Sequence, residues 1–210
     1  MGRDEGAEER ISAFWRSGDL SAAATLTLRA YGPEILGVIR ALHRDEDEAR
    51  EVFGAFAHDL WVGLPGFAWA CSMRTWAFVL ARSASARHRG KTARRGRVEI
   101  AARSSEIEAV AEEVRTGTLP YLRTEARDRF RALREQLSHE EQELLVLRVD
   151  RRLDWRDLAR VIHDGDGATL DDDVLTREAA RLRKRFQLVK DKLREAGRNA
   201  GLLGDAGDEG

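Results

Sequence analysis

Two groups of side chains in this 210-residue chain have the types and spacing to hold a polyanion. At the pitch of an α-helix, Arg74, Phe78, Arg82, Ser85 and Arg89 fall along one face, a basic stripe with an aromatic on it. No Asp or Glu occurs from Ala68 to Val98, whereas Arg74, Arg82, Arg87, Arg89, Lys91, Arg94, Arg95 and Arg97 all lie there. Guanidinium groups neutralise phosphates, and an exposed ring offers a stacking platform to an unpaired base. Just upstream, Phe67 and Trp69 sit in a loop where no helix core demands an aromatic. The competing reading is a solvated arginine face with Phe78 packed on a neighbouring helix.

The second group lies near the C-terminus. Leu175, Ala179, Leu182, Phe186, Val189 and Leu193 recur at steps of four, three, four, three and four, the most regular helical signal in the chain. The opposite face carries Arg177, Arg181 and Lys184, with Arg183 and Arg185 on its flanks. A short helix, a connection and a long basic helix form the pattern of a helix-turn-helix, whose second helix enters the major groove. An ordinary amphipathic helix with snorkelling arginines has the same pattern.

Other chemistry finds no support. Asp164, Asp166 and Asp171 to Asp173 suggest a calcium loop, but counting from Asp164 the fifth, sixth and twelfth positions are Ala168, Thr169 and Leu175. Ligands, glycine and bidentate Glu are therefore missing. His43, His58, His88, His139 and His163 show no metal spacing, and no glycine-rich phosphate loop or nucleophile elbow is present. The expectation is a non-enzyme with no catalytic residues, no metal and no cofactor. The single Cys71 excludes an intrachain disulfide. No apolar run reaches the roughly 18 residues that span a bilayer, and the acidic N-terminus does not resemble a secretory signal. A cytoplasmic location, with no membrane partner, is expected.

The elements that must position these groups are helical. Only Pro33, Pro65 and Pro120 interrupt the chain, and strand alternation is absent. One helix carries Leu28, Ile35, Val38, Ile39 and Leu42; a second, near Glu46 to Leu64, carries Val52, Phe53, Phe56 and Leu60. A third begins near Ser72 and buries Met73, Trp76, Ala77, Leu80 and Ala84. Residues 97–120 read as an acidic linker with a short helix on Ile107, Val110 and Val114. Beyond it come a helix with Phe130, Leu133 and Leu137, a capping box at Ser138 to Glu141, and a further start at Asp154. Residues 1–10 and 198–210 read as mobile ends. The fold class expected is all-α: two small helical domains at 12–97 and 123–198, joined by a linker at 98–122.

Several segments resemble the extracytoplasmic-function (ECF) sigma factors of RNA polymerase. Leu28-Arg-Ala-Tyr-Gly-Pro-Glu-Ile-Leu36, Glu48-Ala-Arg-Glu-Val-Phe53, Asp59-Leu-Trp-Val-Gly-Leu-Pro-Gly-Phe67 and Met73-Arg-Thr-Trp-Ala-Phe-Val-Leu-Ala-Arg82 are similar to sigma region two. Phe130-Arg-Ala-Leu-Arg-Glu-Gln-Leu-Ser138 and Glu141-Gln-Glu-Leu-Leu-Val-Leu-Arg148 are similar to the opening of region four, whose last helix is a helix-turn-helix reader. The resemblance implies a factor that binds core RNA polymerase and promoter DNA, with an anti-sigma factor as a further partner. It puts Glu51, Val52 and Asp59 at the polymerase contact. It puts Phe67, Trp69, Arg74, Trp76, Phe78 and Arg82 on the unpaired minus-ten strand, although Trp76 also belongs to the core stripe. It puts Arg177, Arg181, Arg183, Lys184 and Arg185 on the minus-thirty-five duplex, and it runs the acidic linker through the polymerase.

Two departures stand out. The family's Gln-Glu pair in the second helix is replaced by Gly54 and Ala55, and its tight turn between the last two helices by a long acidic loop, 163–173. Two further readings follow: a sigma-like DNA-binding regulator that does not program polymerase, and a sigma-fold adaptor that binds polymerase or a regulator without reading DNA.

Overall fold

The computed structural model describes residues 2–43, 45–94, 105–117, 133–165 and 167–200, and every regular element among them is helical. Pro120, Phe130, Arg95, Arg97, Asp166 and residues 201–210, with the side chains of Lys91 and Arg94, lie outside the described residues. The chain divides into two compact units: Met1–Leu119 with Arg160–Asp171, and Pro120–Ala159 with Asp172–Gly210.

In the first unit, α1 (Gly2–Arg16) and α2 (Leu20–Leu42) form a hairpin. Gly18 makes the corner at φ +82°, a conformation that costs other residues about 1–2 kcal/mol. Asp19 then caps α2, its carboxylate accepting from the Ala22 N–H at 2.9 Å. Pro33 reads in the sequence as punctuation, yet α2 runs straight through it. Proline forfeits one helix hydrogen bond and costs about 3 kcal/mol. Tyr31, Ile35, Leu36 and Ile39 are all essentially buried around it, and each contributes about 1.5–3 kcal/mol, so packing wins.

Helix α3 (Glu46–Gly63) starts at Asp45, whose Oδ1 accepts from the N–H groups of Asp47 and Glu48 at 2.8 and 2.9 Å. Glu46, Asp47 and Glu48 place negative charge at the positive end of its dipole. A 3-10 turn, Leu64–Gly66, closes it.

Helix α4 (Met73–Arg94) packs on both α2 and α3. Met73, Trp76, Ala77, Phe78, Val79, Ala81 and Ala84 are buried, so this helix is enclosed on more than one side, and Leu80 is only half-buried. The expected linker holds α5 (Ser105–Gly117), which lays Ile107, Val110, Ala111 and Val114 against α2 and α3. It is part of the first unit, because those four apolar side chains need a core to cover them.

Residues 1–10 read in the sequence as a mobile end. Instead Glu8 ties α1 to the start of α4: its carboxylate accepts from the N–H groups of Met73 and Arg74, each at 2.9 Å, and from the Tyr31 hydroxyl at 2.9 Å. A carboxylate at a helix N-terminus meets unpaired N–H donors and the positive end of the dipole.

The second unit contains α6 (His139–Leu145), opened by the expected capping box. Ser138 N–H donates to Glu141 Oε2 at 2.9 Å, and Glu141 N–H to Ser138 Oγ at 3.3 Å. A π-turn, Val146–Asp150, follows and leaves Val149 exposed. Helix α7 (Trp155–Ile162) is capped by Asp154, which accepts from the N–H groups of Arg156 and Asp157 at 2.8 Å. Helix α8 (Asp172–Asn199) buries Leu175, Ala179, Leu182 and Val189 and packs on α6.

Candidate nucleic-acid interfaces

Each unit offers one basic helix, and the two differ in what surrounds the cations. On α4, Arg74 is held by Glu34 of α2, with Nε donating to Oε2 at 3.0 Å and Nη2 also bonded to that carboxylate. Its guanidinium lies 5.3 Å from the centroid of the Phe78 ring. Arg82 donates from Nη1 to the His163 carbonyl and to Asp164 Oδ1, both at 3.3 Å. Arg87 pairs with Asp59 of α3. The segment is free of acids in sequence, but the tertiary structure supplies carboxylates from elsewhere.

The aromatic positions also differ from expectation. Phe78 is 1% exposed, so the stripe is not a free face: the ring and Ser85 are both buried. Phe67 is buried too, stacked on Trp76 with centroids 4.5 Å apart and planes 20° from parallel. Trp76 is buried as a core residue. An aromatic with a helix on either side lowers free energy by packing, and two of these three lie on α4 between α2 and α3.

Trp69 is the exception. It is half-buried, edge-on to Trp15 with centroids 6.0 Å apart and tilted against Phe67 at 4.9 Å. Its backbone sits at φ +55°, and its buried indole Nε1 meets no acceptor among the described residues. Left-handed backbone at a bulky residue and an unpaired buried donor both cost energy, a combination found at functional positions.

Of the residues placed at a polymerase contact, Glu51 is exposed, with Oε2 3.7 Å from His88 Nδ1. Asp59 is half-buried in its pair with Arg87. Val52 is 0% exposed and belongs to the core, so it is not available as a surface contact. Gly54 borders a cavity of about 320 Å³ lined also by Ala57, His58, Trp61, Ile107 and Ala111. A Cβ there would meet only Arg115 Nη1, at 3.8 Å.

A histidine cluster joins α2, α3 and α4. His43 is buried, with Nε2 3.1 Å from Ser85 Oγ and Nδ1 3.7 Å from Glu48 Oε2. His88 stands edge-on to it, with ring centroids 5.8 Å apart. Burial first, then the positive charges of Arg89 and His88, hold the His43 pKa below its ordinary value, against the opposing pull of Glu48. Residues 43, 85 and 88 carry no sequence pattern that predicts this meeting, and neither do Glu8 and Glu34.

On α8 the expected apolar stripe is buried at Leu175, Ala179, Leu182 and Val189, whereas Phe186 and Leu193 are only half-buried. Arg177, Arg181, Arg183 and Lys184 are exposed, and Arg185 is half-buried in a pair with Glu140. Arg181 has a loose partner on its own helix, Glu178 at 3.5 Å. Arg183 lies over the Trp155 ring at 5.6 Å, on the same indole that Arg148 covers at 4.6 Å and Phe186 meets edge-on at 5.7 Å. Further along, Lys192 bonds Glu141, whose carboxyl pKa is lowered first by that ammonium and then by the Ser138 N–H.

No family model, curated protein or solved structure matches this chain. Among the described residues no helix is long and apolar enough to cross a membrane.

Proposed function

We propose that this chain is an RNA polymerase sigma factor of the ECF type, which binds core polymerase and directs it to promoters. One observation carries the reading furthest: the exposed row Arg177, Arg181 and Lys184, with Arg183 beside it, on a helix whose opposite face is buried. A rigid helix with cations on one side suits entry into the major groove, where phosphates are neutralised and an arginine can bond a guanine edge. The resemblance of residues 28–82 and 130–148 to sigma regions two and four supports the polymerase and minus-ten roles. Exposed Glu51 and half-buried Asp59 are the side chains of α3 that would reach polymerase, and Trp69 is the aromatic that would reach an unpaired base. The reading carries a cytoplasmic location and admits an anti-sigma factor. Purified protein mixed with core polymerase and a genomic promoter library should yield discrete start sites by transcript mapping; polymerase binding without transcripts would sink it.

A second reading is favoured by a specific observation. Phe67, Trp76 and Phe78 are buried and Arg74 is held by Glu34, which leaves little of α4 to grip a strand. A sigma-like regulator that binds duplex DNA through α8, or an adaptor that reads no DNA, needs no such grip. Duplex binding by the protein without core polymerase separates these two.

A further inference from the structure

The acidic connection that precedes α8 is built to lie on α4. Arg160 Nη1 donates to the Ala168 carbonyl at 2.8 Å and folds the segment back on the end of α7. Gly167 presses against the same residue: a Cβ there would stand 1.8 Å from the Arg160 carbonyl oxygen, so only glycine fits without a backbone shift. Ala168 is buried, and the 3-10 turn Gly167–Thr169 packs on α4. This shape brings the Asp164 carboxylate to Arg82, on a helix with no Asp or Glu of its own.

We infer that the stretch at His163 and Asp164 is an internal competitor of nucleic acid, with Asp164 occupying at Arg82 the place of a backbone phosphate. The inference rests on the reading that α4 faces a DNA strand. Two details separate a competitor from a structural strut. The Asp164 side chain is 97% exposed, so water screens its pair and the pair holds the fold together weakly. The Arg82 side chain is 19% exposed, so its surroundings restrict the cation far more than the carboxylate beside it. By contrast, Arg74 and Glu34 are both mostly buried, at 19% and 24%, and that pair belongs to the packing. A phosphate arriving at Arg82 exchanges one solvated anion for another, and the segment lifts from α4.

The test uses the full chain and a labelled single-stranded DNA oligonucleotide, with binding followed by fluorescence anisotropy at two salt concentrations. Asp164→Asn is expected to tighten binding about two- to five-fold, the range for exchange of an exposed ion pair. Gly167→Ala, which pushes the segment away from Arg160, is expected to act in the same direction. Arg82→Ala should weaken binding and remove the gain from Asp164→Asn in the double variant. Glu9→Gln, an equal change in net charge on exposed α1, should leave affinity unchanged. Amide exchange in 163–169 should quicken when the oligonucleotide is bound. If Arg82→Ala weakens binding while Asp164→Asn does nothing, or if Glu9→Gln gives the same gain, the competitor is overturned and the reading of α4 stands. If Arg82→Ala has no effect, both fall together.

Discussion

Helices α4 and α8 read alike as sequence and differ as structure. Both are long, rich in arginine and spaced to put cations on one face. On α8 that face is solvent, because Leu175, Ala179, Leu182 and Val189 satisfy the core from the other side alone. On α4 the supposed outer face holds Phe78 and Ser85, both buried, and its arginines meet Glu34, Asp164 and Asp59 from other elements. A wheel shows which residues share a face. It does not show how many neighbours the helix has, and a helix enclosed on several sides turns a basic stripe into ion pairs with other elements, of which Arg74 with Glu34 is mostly buried while Asp164 stays exposed beside Arg82.

The sharpest way to break this contrast is Phe78→Ala. Removing a fully buried ring should destabilise the first unit by about 3–5 kcal/mol, read as a large drop in the thermal midpoint. An unchanged midpoint would return Phe78 to the surface and restore the stripe. In the second unit, Ser138→Ala should cost about 1 kcal/mol by removing the capping box, seen in denaturant unfolding. A destabilisation as large as that from Phe78→Ala would mean that α6 is less supported by packing than its buried leucines imply.

The histidine cluster sharpens the same contrast through pH. The folded-state pKa of His43 lies below its ordinary 6.5, so its neutral form is favoured in the fold. Its contribution is fully present above 6.5 and is lost as pH falls through the range below it. Glu48, Glu51, His88, Arg89 and Ser85 face this site, and protonation adds positive charge beside Arg89 and His88. Stability of the first unit should therefore decline on acidification below 6.5, and His43→Gln should flatten that decline. A wild-type curve flat from neutral pH to about the pKa of a carboxylate would contradict the burial of His43.

The smallest expected effect is on the stability of α8 itself. Arg181→Ala and Lys184→Ala should each change it by less than about 0.5 kcal/mol. Duplex binding should nevertheless weaken across all sequences, with the salt slope reduced by about one for each phosphate that is no longer neutralised. Weakening confined to one base pair would instead assign that residue to a base edge.

The parts legible in sequence are those that local chemistry dictates. The capping box at Ser138, the start at Asp154 and the buried stripe of α8 follow from side chains within a few residues of one another. The all-helical class follows from periodicity and scarce proline. What is not legible depends on long-range meetings. Glu8 reaches Met73 and Arg74, Asp164 reaches Arg82, and His43 reaches Ser85; no periodicity joins such pairs. Pro33 and Glu8 mislead for the same reason, since packing from other elements overrides a local preference. Resemblance gives Val52 and Phe78 outside contacts, and burial assigns both to the core. The linker's charge suggests a solvated connection, whereas Ile107, Val110, Ala111 and Val114 decide where α5 goes.

The Trp155 ring has an optical consequence. The other four tryptophans, Trp15, Trp61, Trp69 and Trp76, all belong to the first unit, so Trp155 is the sole indole emitter of the second. Arg148 and Arg183 both lie over its face, and Arg183 stands on the flank of the exposed row. Any phosphate that draws Arg183 away alters the charge above the excited indole and shifts its emission. With the other four replaced by phenylalanine, the emission of Trp155 would report whether an anion reaches this flank of α8.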